Sequence, residues 1–202
     1  MKEHYYDKLF NIKTTGIQKD VNGPIHYHPY ESTPYQALEV LSVSYSINDS
    51  DRVIDFGCGK GRLNFYLNYF HQATTIGIEM SQHYYQEAIK NFYRYTERHP
   101  SPNTNIYFQR CLAESYPINR LDNKFYFFNP FSIQIFMRVV HNILRSVEKN
   151  NRQVEIILYY GSEDYMYFLE NQTTFELVKE IQVPRMYEHD LKERFLIYRL
   201  AY

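Results

Sequence analysis

The sequence has no tryptophan, only two cysteines and almost no net charge, and each shortage narrows what the protein can be. Cys58 and Cys111 stand apart, with no CxxC pair and no zinc-finger spacing, which excludes a disulfide framework and a structural zinc site of that kind. Lysine plus arginine (22) nearly cancels aspartate plus glutamate (23), so no whole-protein field draws in nucleic acid or anionic lipid. No apolar run approaches the roughly 18 residues of a membrane span, and residues 1–7 lack the apolar core of a signal peptide. The expectation is a cytoplasmic chain with reduced thiols and no membrane partner. The 22 tyrosines and 14 phenylalanines without tryptophan are a set that AT-rich codons favour, and they carry no chemical signature.

What remains is a globular composition, 44% hydrophobic and 22% charged over 202 residues, enough for one domain of the usual ~150 residues and too little for two. Residues 1–33 are polar, broken by Gly16, Gly23, Pro24 and Pro29, and have no steady apolar period, which predicts an extended arm or lid. Thr33 stands before Pro34 as a capping hydroxyl would, and the spacing of Ala37, Leu38, Leu41 and Tyr45 predicts a helix over 34–45. From there to residue 202 short apolar runs alternate with amphipathic stretches. Strands are expected at 53–54, 75–78, 106–108, 125–128 and 154–160, with helices between them that include one capped by Ser81. Strands at 175–183 and 195–200, joined by a loop alone, predict a terminal antiparallel hairpin. The expected fold is α/β: a Rossmann-like, doubly wound, mainly parallel seven-stranded sheet with helices on both faces, binding ligands at the carboxyl ends of its strands.

The densest local signal is Val53-Ile54-Asp55-Phe56-Gly57-Cys58-Gly59-Lys60-Gly61-Arg62, a strand that runs through glycines into a helix. Gly57 and Gly59 let the backbone turn sharply and come close to a ligand. Asp55 at the end of a buried strand needs a cation or several donors. Glu79 ends the next strand, where an acid can accept both hydroxyls of a ribose. A dinucleotide fingerprint wants a small residue where Arg62 stands, and a Walker loop wants Lys and Ser or Thr after Gly61, so both are disfavoured.

This stretch resembles the first motif of the class I S-adenosylmethionine-dependent methyltransferases, an acid followed by Gly-x-Gly-x-Gly, and the resemblance extends over about 51–200. It implies that Asp55, Phe56, Gly57, Cys58 and Gly59 hold the methionine part of S-adenosylmethionine, while Glu79 and Met80 take the ribose side. The family usually follows its third strand with Asp-Ala near the adenine. Here the run is Cys111-Leu112-Ala113-Glu114, so backbone groups at Leu112 and Ala113 would serve, with Glu114 as a substitute acid.

The fourth strand runs into Asn129-Pro130-Phe131-Ser132, which looks like a shortened Asn-Pro-Pro-aromatic motif of methyltransferases that act on amino groups. The resemblance implies that Asn129 accepts a hydrogen bond from a target nitrogen and also lies against the cofactor, while Phe131 packs on the target or the sulfonium. An ordinary Asn-Pro turn would read the same way. Tyr30 and Tyr35 in the arm are candidates to line a substrate entrance. His26 and His28 face one way on an extended segment, but no third ligand can be placed, so no metal is expected. Lys90, Arg94 and Arg98 repeat along one helix face and read as a solvated stripe. The expected activity is methyl transfer to a nitrogen on a protein or small molecule. A nucleic-acid acceptor and a non-catalytic sensor of the cofactor stand behind it.

Overall fold

A computed structural model describes residues 2–16, 30–102 and 104–201. In chain order the elements are α1 (Lys2–Phe10), α2 (Tyr35–Ser44), β1 (Arg52–Phe56), α3 (Arg62–His71), β2 (Thr74–Glu79), α4 (Gln82–Arg98), β3 (Ile106–Arg110), a 3-10 turn (Ala113–Ser115) and β4 (Lys124–Phe127). They continue with α5 (Ile133–Lys149), β5 (Glu155–Tyr159), α6 (Glu163–Gln172), β6 (Phe175–Gln182) and β7 (Arg194–Leu200). The strands form one seven-stranded sheet in the order β3-β2-β1-β4-β5-β7-β6. The first five pair in parallel, and β7 enters antiparallel between β5 and β6. The order reverses at β1, so the carboxyl ends of β1, β2 and β4 meet at a switch point, where sheets of this class bind ligands.

Both faces of the sheet are covered, which is why the central strands read as continuous apolar runs. Alternate residues of β1 and β4 face opposite layers. Ile54, Phe56, Phe125 and Phe127 meet α5 and α6, and Val53 and Tyr126 meet the helices of the amino-terminal half. Helix α5 turns Ile135, Phe136, Val139, Val140, Ile143 and Val147 inward at helical spacing. Ser81 caps α4 by accepting from Tyr84 N at 3.5 Å, as its position implied.

Two local expectations are corrected. Thr33 does not cap α2: Pro34 takes the cap position, its carbonyl accepting from Ala37 and Leu38 N, and the Thr33 hydroxyl bonds the Tyr126 hydroxyl at 2.7 Å instead. Residues 2–10 are helical rather than extended. The order of α1 comes from rings and a buried carboxylate. Tyr6 stacks on Tyr35 at 4.7 Å and Phe10 is fully enclosed. Asp7 accepts from the Thr14 amide and hydroxyl and from the Tyr35 hydroxyl. Among the described residues no helix is long and apolar enough to cross a membrane. His26 and His28 lie outside the described residues.

Candidate active site

Strand β1 ends on Asp55 and Phe56, and the chain then turns through Gly57 at φ +79° and Gly59 at φ +54°, a region that disfavours any side chain. The turn is pinned to β2, since Gly57 N and Cys58 N both donate to Ile78 O, at 2.9 and 3.1 Å. A Cβ at Gly57 would lie 2.7 Å from Pro130 Cβ, so the Asn129-Pro130 turn beyond β4 sits directly against the loop. A Cβ at Gly59 would lie 2.1 Å from Tyr30 Cε2. The Tyr30 ring therefore lies over the loop, stacked on Tyr84 at 4.7 Å, with its hydroxyl donating to Thr14 O at 2.9 Å.

Glu79, 8% exposed at the end of β2, spans the glycine loop and the start of α4. Its Oε2 accepts from Gly59 N at 3.0 Å and its Oε1 from Ser81 N at 2.7 Å. Burial raises its pKa and these backbone donors work against the rise. Asp55 is 5% exposed. Burial first, and the nearby Glu79 second, push its carboxyl from 3.8 up to about 8. Among the described residues neither carboxyl is met by a cation. Two buried acids flanking a glycine turn thus have acceptor capacity to spare for a ligand that brings an ammonium and hydroxyls.

The remaining sequence candidates fall into two groups. Met80 follows Glu79 and is half-buried; Leu112, 45% exposed, and buried Ala113 lie just past the end of β3, whose backbone at Arg110 is in register with that of Glu79. These line up along the same strand ends as the acids, and Glu114 turns to Arg138 at 3.8 Å. Asn129 adopts φ +40° at the end of β4. The others are enclosed. Phe56 stacks on Phe127 at 5.0 Å, and Cys58 packs under the loop against Gly77, its thiol pushed up by burial. Tyr35 and Phe131 are 0% and 1% exposed. Tyr35 lies beneath the Arg62 guanidinium at 4.3 Å, and the Phe131 carbonyl accepts from the Tyr165 hydroxyl.

Several residues of the site were not singled out from the sequence. Arg62 is buried and ties the amino-terminal segment to α3 through Thr14 Oγ1 at 2.8 Å, Thr33 O at 3.1 Å and the Glu3 carboxylate. Asn91 bonds Lys13 N, Lys13 O and Lys60 O, joining the same segment to α4 and the glycine loop. Asn64 on α3 reaches Asp55. A polar residue on an otherwise apolar helix face was the available signal for Asn64 and Asn91.

No protein-family model matches the sequence. No curated protein matches it either. Solved structures do. A human methyltransferase 10 domain containing protein superposes with a TM-score of 0.62 at 12% identity, over 98% of this chain and 93% of that one. An RNA methyltransferase from Salinibacter ruber, solved with S-adenosyl-L-homocysteine, gives 0.53 at 14% identity, over 84% and 92%. This chain has the Rossmann-like fold of the class I methyltransferases. The class I fold also carries other chemistry: the [4+2]-cyclase SpnF matches with a TM-score of 0.59 at 15% identity, over 87% of each chain. The fold alone therefore does not fix the reaction, and the site must.

Proposed function

We propose that the chain binds S-adenosylmethionine at the carboxyl ends of β1 and β2 and transfers its methyl group to a nitrogen on a protein or small molecule. The observation that carries this reading is the pair of buried carboxyls without a cation, Asp55 and Glu79, on either side of a glycine turn at the switch point. When bound, the cofactor supplies a methyl group on a sulfonium, already activated toward a nucleophile. Asp55 would receive the ammonium, and the Gly57 and Gly59 backbone, with Phe56 and Cys58 packed beneath, would hold the amino-acid arm. Glu79 already accepts the backbone N–H groups of Gly59 and Ser81 and is reached by that of Met80 as well. A carboxylate has about four lone-pair sites, so Glu79 would keep acceptor capacity for a ribose hydroxyl. Met80, Leu112 and Ala113 would border the adenine. Asn129, set against the loop by Pro130, would accept a hydrogen bond from the target nitrogen and aim its lone pair, an effect of position rather than of proton transfer.

The surroundings of Asn129 favour a protein or small-molecule acceptor over nucleic acid. Phe128 packs on Tyr159 at 4.8 Å, and the Tyr159 and Tyr160 hydroxyls donate to Glu193 and Asp190. Glu31 acts electrostatically on Tyr159, Tyr160 and Glu193, so among the described residues three carboxylates and the Lys192 ammonium border this edge. Such an edge repels phosphate. Tyr30, half-buried over the loop, would be the arm residue that meets a bound molecule. The free thiols Cys58 and Cys111 suit a reducing compartment, and we place the protein in the cytoplasm.

The test is transfer of labelled methyl from S-adenosylmethionine into a cleared lysate, then separated into protein, small-molecule and nucleic-acid fractions. The expected result is label in the protein or small-molecule fraction that Asp55→Ala removes and Asn129→Ala lowers by about tenfold or more at unchanged cofactor affinity. Label in nucleic acid would overturn the acceptor assignment. Cofactor binding without transfer to any fraction would favour a sensor.

A further inference from the structure

Asn64 is 0% exposed and sits on α3 between the end of β1 and the middle of β2. Its orientation is set by its neighbours. The Gly77 backbone N–H can only donate, so the amide oxygen turns to it, at 3.3 Å, and the amide nitrogen is left facing Asp55 Oδ2 at 3.0 Å. The reverse orientation would set N–H against N–H and oxygen against oxygen. Gly77 thereby dictates that the partner offered to Asp55 is a donor. A donor stabilises the carboxylate over the carboxylic acid.

Every other influence on Asp55 runs the other way. Burial favours the neutral acid, and Glu79 on β2 repels a second negative charge. Tyr126 on β4 and Cys58 in the glycine loop are within electrostatic range, and burial raises both, so neither brings a charge. Among the described residues, Asn64 is the one group that favours the anion. We propose that Asn64 is a positioning residue of the cofactor site: oriented by Gly77, its amide engages Asp55 Oδ2 and favours the carboxylate form, so that Asp55 gives up its proton when a cation arrives. This inference rests on the reading of the site as a cofactor site and deepens it, since it separates recognition of the amino-acid arm from recognition of the nucleoside.

The test compares two probes on the full chain by calorimetry between pH 6 and 8.5. S-adenosylhomocysteine carries the ammonium. 5′-Methylthioadenosine keeps the nucleoside and lacks the amino-acid arm. For Asn64→Leu, affinity for S-adenosylhomocysteine should fall about tenfold at pH 7, and the pH below which affinity declines should move up by about one unit. Affinity for methylthioadenosine should stay within about twofold of wild type at every pH, because that probe does not call on Asp55. Equal losses for both probes, or an unmoved pH profile, would overturn the inference and leave the cofactor reading standing. Wild-type protein that binds neither probe would overturn both. Should Asn64→Leu fail to fold, the carboxyl carbon of Asp55 in wild-type protein, followed by NMR with S-adenosylhomocysteine bound, decides the matter: a carboxylate signal at pH 7 is expected, and a protonated one refutes the role of Asn64.

Discussion

Replacing Asp55 by Asn should make the protein more stable at neutral pH, although it removes the residue assigned to the cofactor's ammonium. In the folded chain burial and Glu79 push the Asp55 carboxyl from 3.8 to about 8. The unfolded chain ionises this group near its usual value, so between about pH 4 and 8 the folded state holds a proton that the unfolded state has released. Stability therefore falls as pH rises through that window; the penalty is nil below about pH 4 and complete by about pH 8. Each pH unit is worth about 1.4 kcal/mol, which bounds the penalty at roughly 4 kcal/mol at pH 7. The hydrogen bond from Asn64 offsets part of this, and the amide introduced at residue 55 leaves N–H groups to satisfy at a cost of about 1 kcal/mol. A net gain of about 1–2 kcal/mol is expected, which for a chain of this length raises Tm by roughly 2–8 °C. Thermal unfolding of wild type and Asp55→Asn from pH 4.5 to 8.5, without cofactor, measures it. The advantage of the variant should be near zero at the acid end and grow toward pH 8. An advantage independent of pH, or a wild type more stable at pH 8, would show that Asp55 already has its counter-charge in the folded chain.

Gly57→Ala sets a side chain at φ +79° with its Cβ 2.7 Å from Pro130 Cβ, and should cost about 2–3 kcal/mol in a denaturant titration; an unchanged midpoint would refute the close seat of Pro130 on the loop. Arg62→Met removes the bonds to Thr14, Thr33 and Glu3 and should cost about 2–3 kcal/mol. Amide exchange at Lys13 to Thr15 should accelerate with it, and unaltered exchange would mean that Arg62 does not anchor the amino-terminal segment. Phe136→Ala empties a fully buried position stacked on Tyr165 at 3.7 Å and should cost about 3–5 kcal/mol; a loss below about 1 kcal/mol would contradict the packing of α5 on α6.

The centre of the sheet was legible because β1, β2, β4 and β5 are buried on both faces and so stand out as short apolar runs between amphipathic helices. The hairpin of β6 and β7 was legible because no helical pattern separates the two. Asp55, the glycines and Glu79 could be read because a buried strand-end acid beside a turn is locally anomalous. Helix α1 could not, since its charged residues interrupt the apolar pattern that Tyr6 and Phe10 supply, and its buried Asp7 is satisfied by residues that follow the helix. The hydroxyl of Thr33 stood where a cap should, but a tertiary partner, Tyr126, outcompetes the local one. Phe131 and Tyr35 carry side chains that suit a substrate wall equally well as a core, and only the packing of α6 and of Arg62 shows that their rings are enclosed here. Asn64 was hidden because its role depends on Gly77, a backbone donor supplied by the neighbouring strand.

The most direct test of the cofactor site is calorimetric titration of S-adenosylhomocysteine into wild-type protein and Glu79→Gln at pH 7.5. Saturable binding of one molecule per chain is expected, weakened roughly tenfold or more in Glu79→Gln as the charged acceptor of the ribose hydroxyls is lost. The circular dichroism of the variant should be unchanged. No binding to wild type at millimolar ligand, or equal affinity in the two proteins, would contradict the assignment.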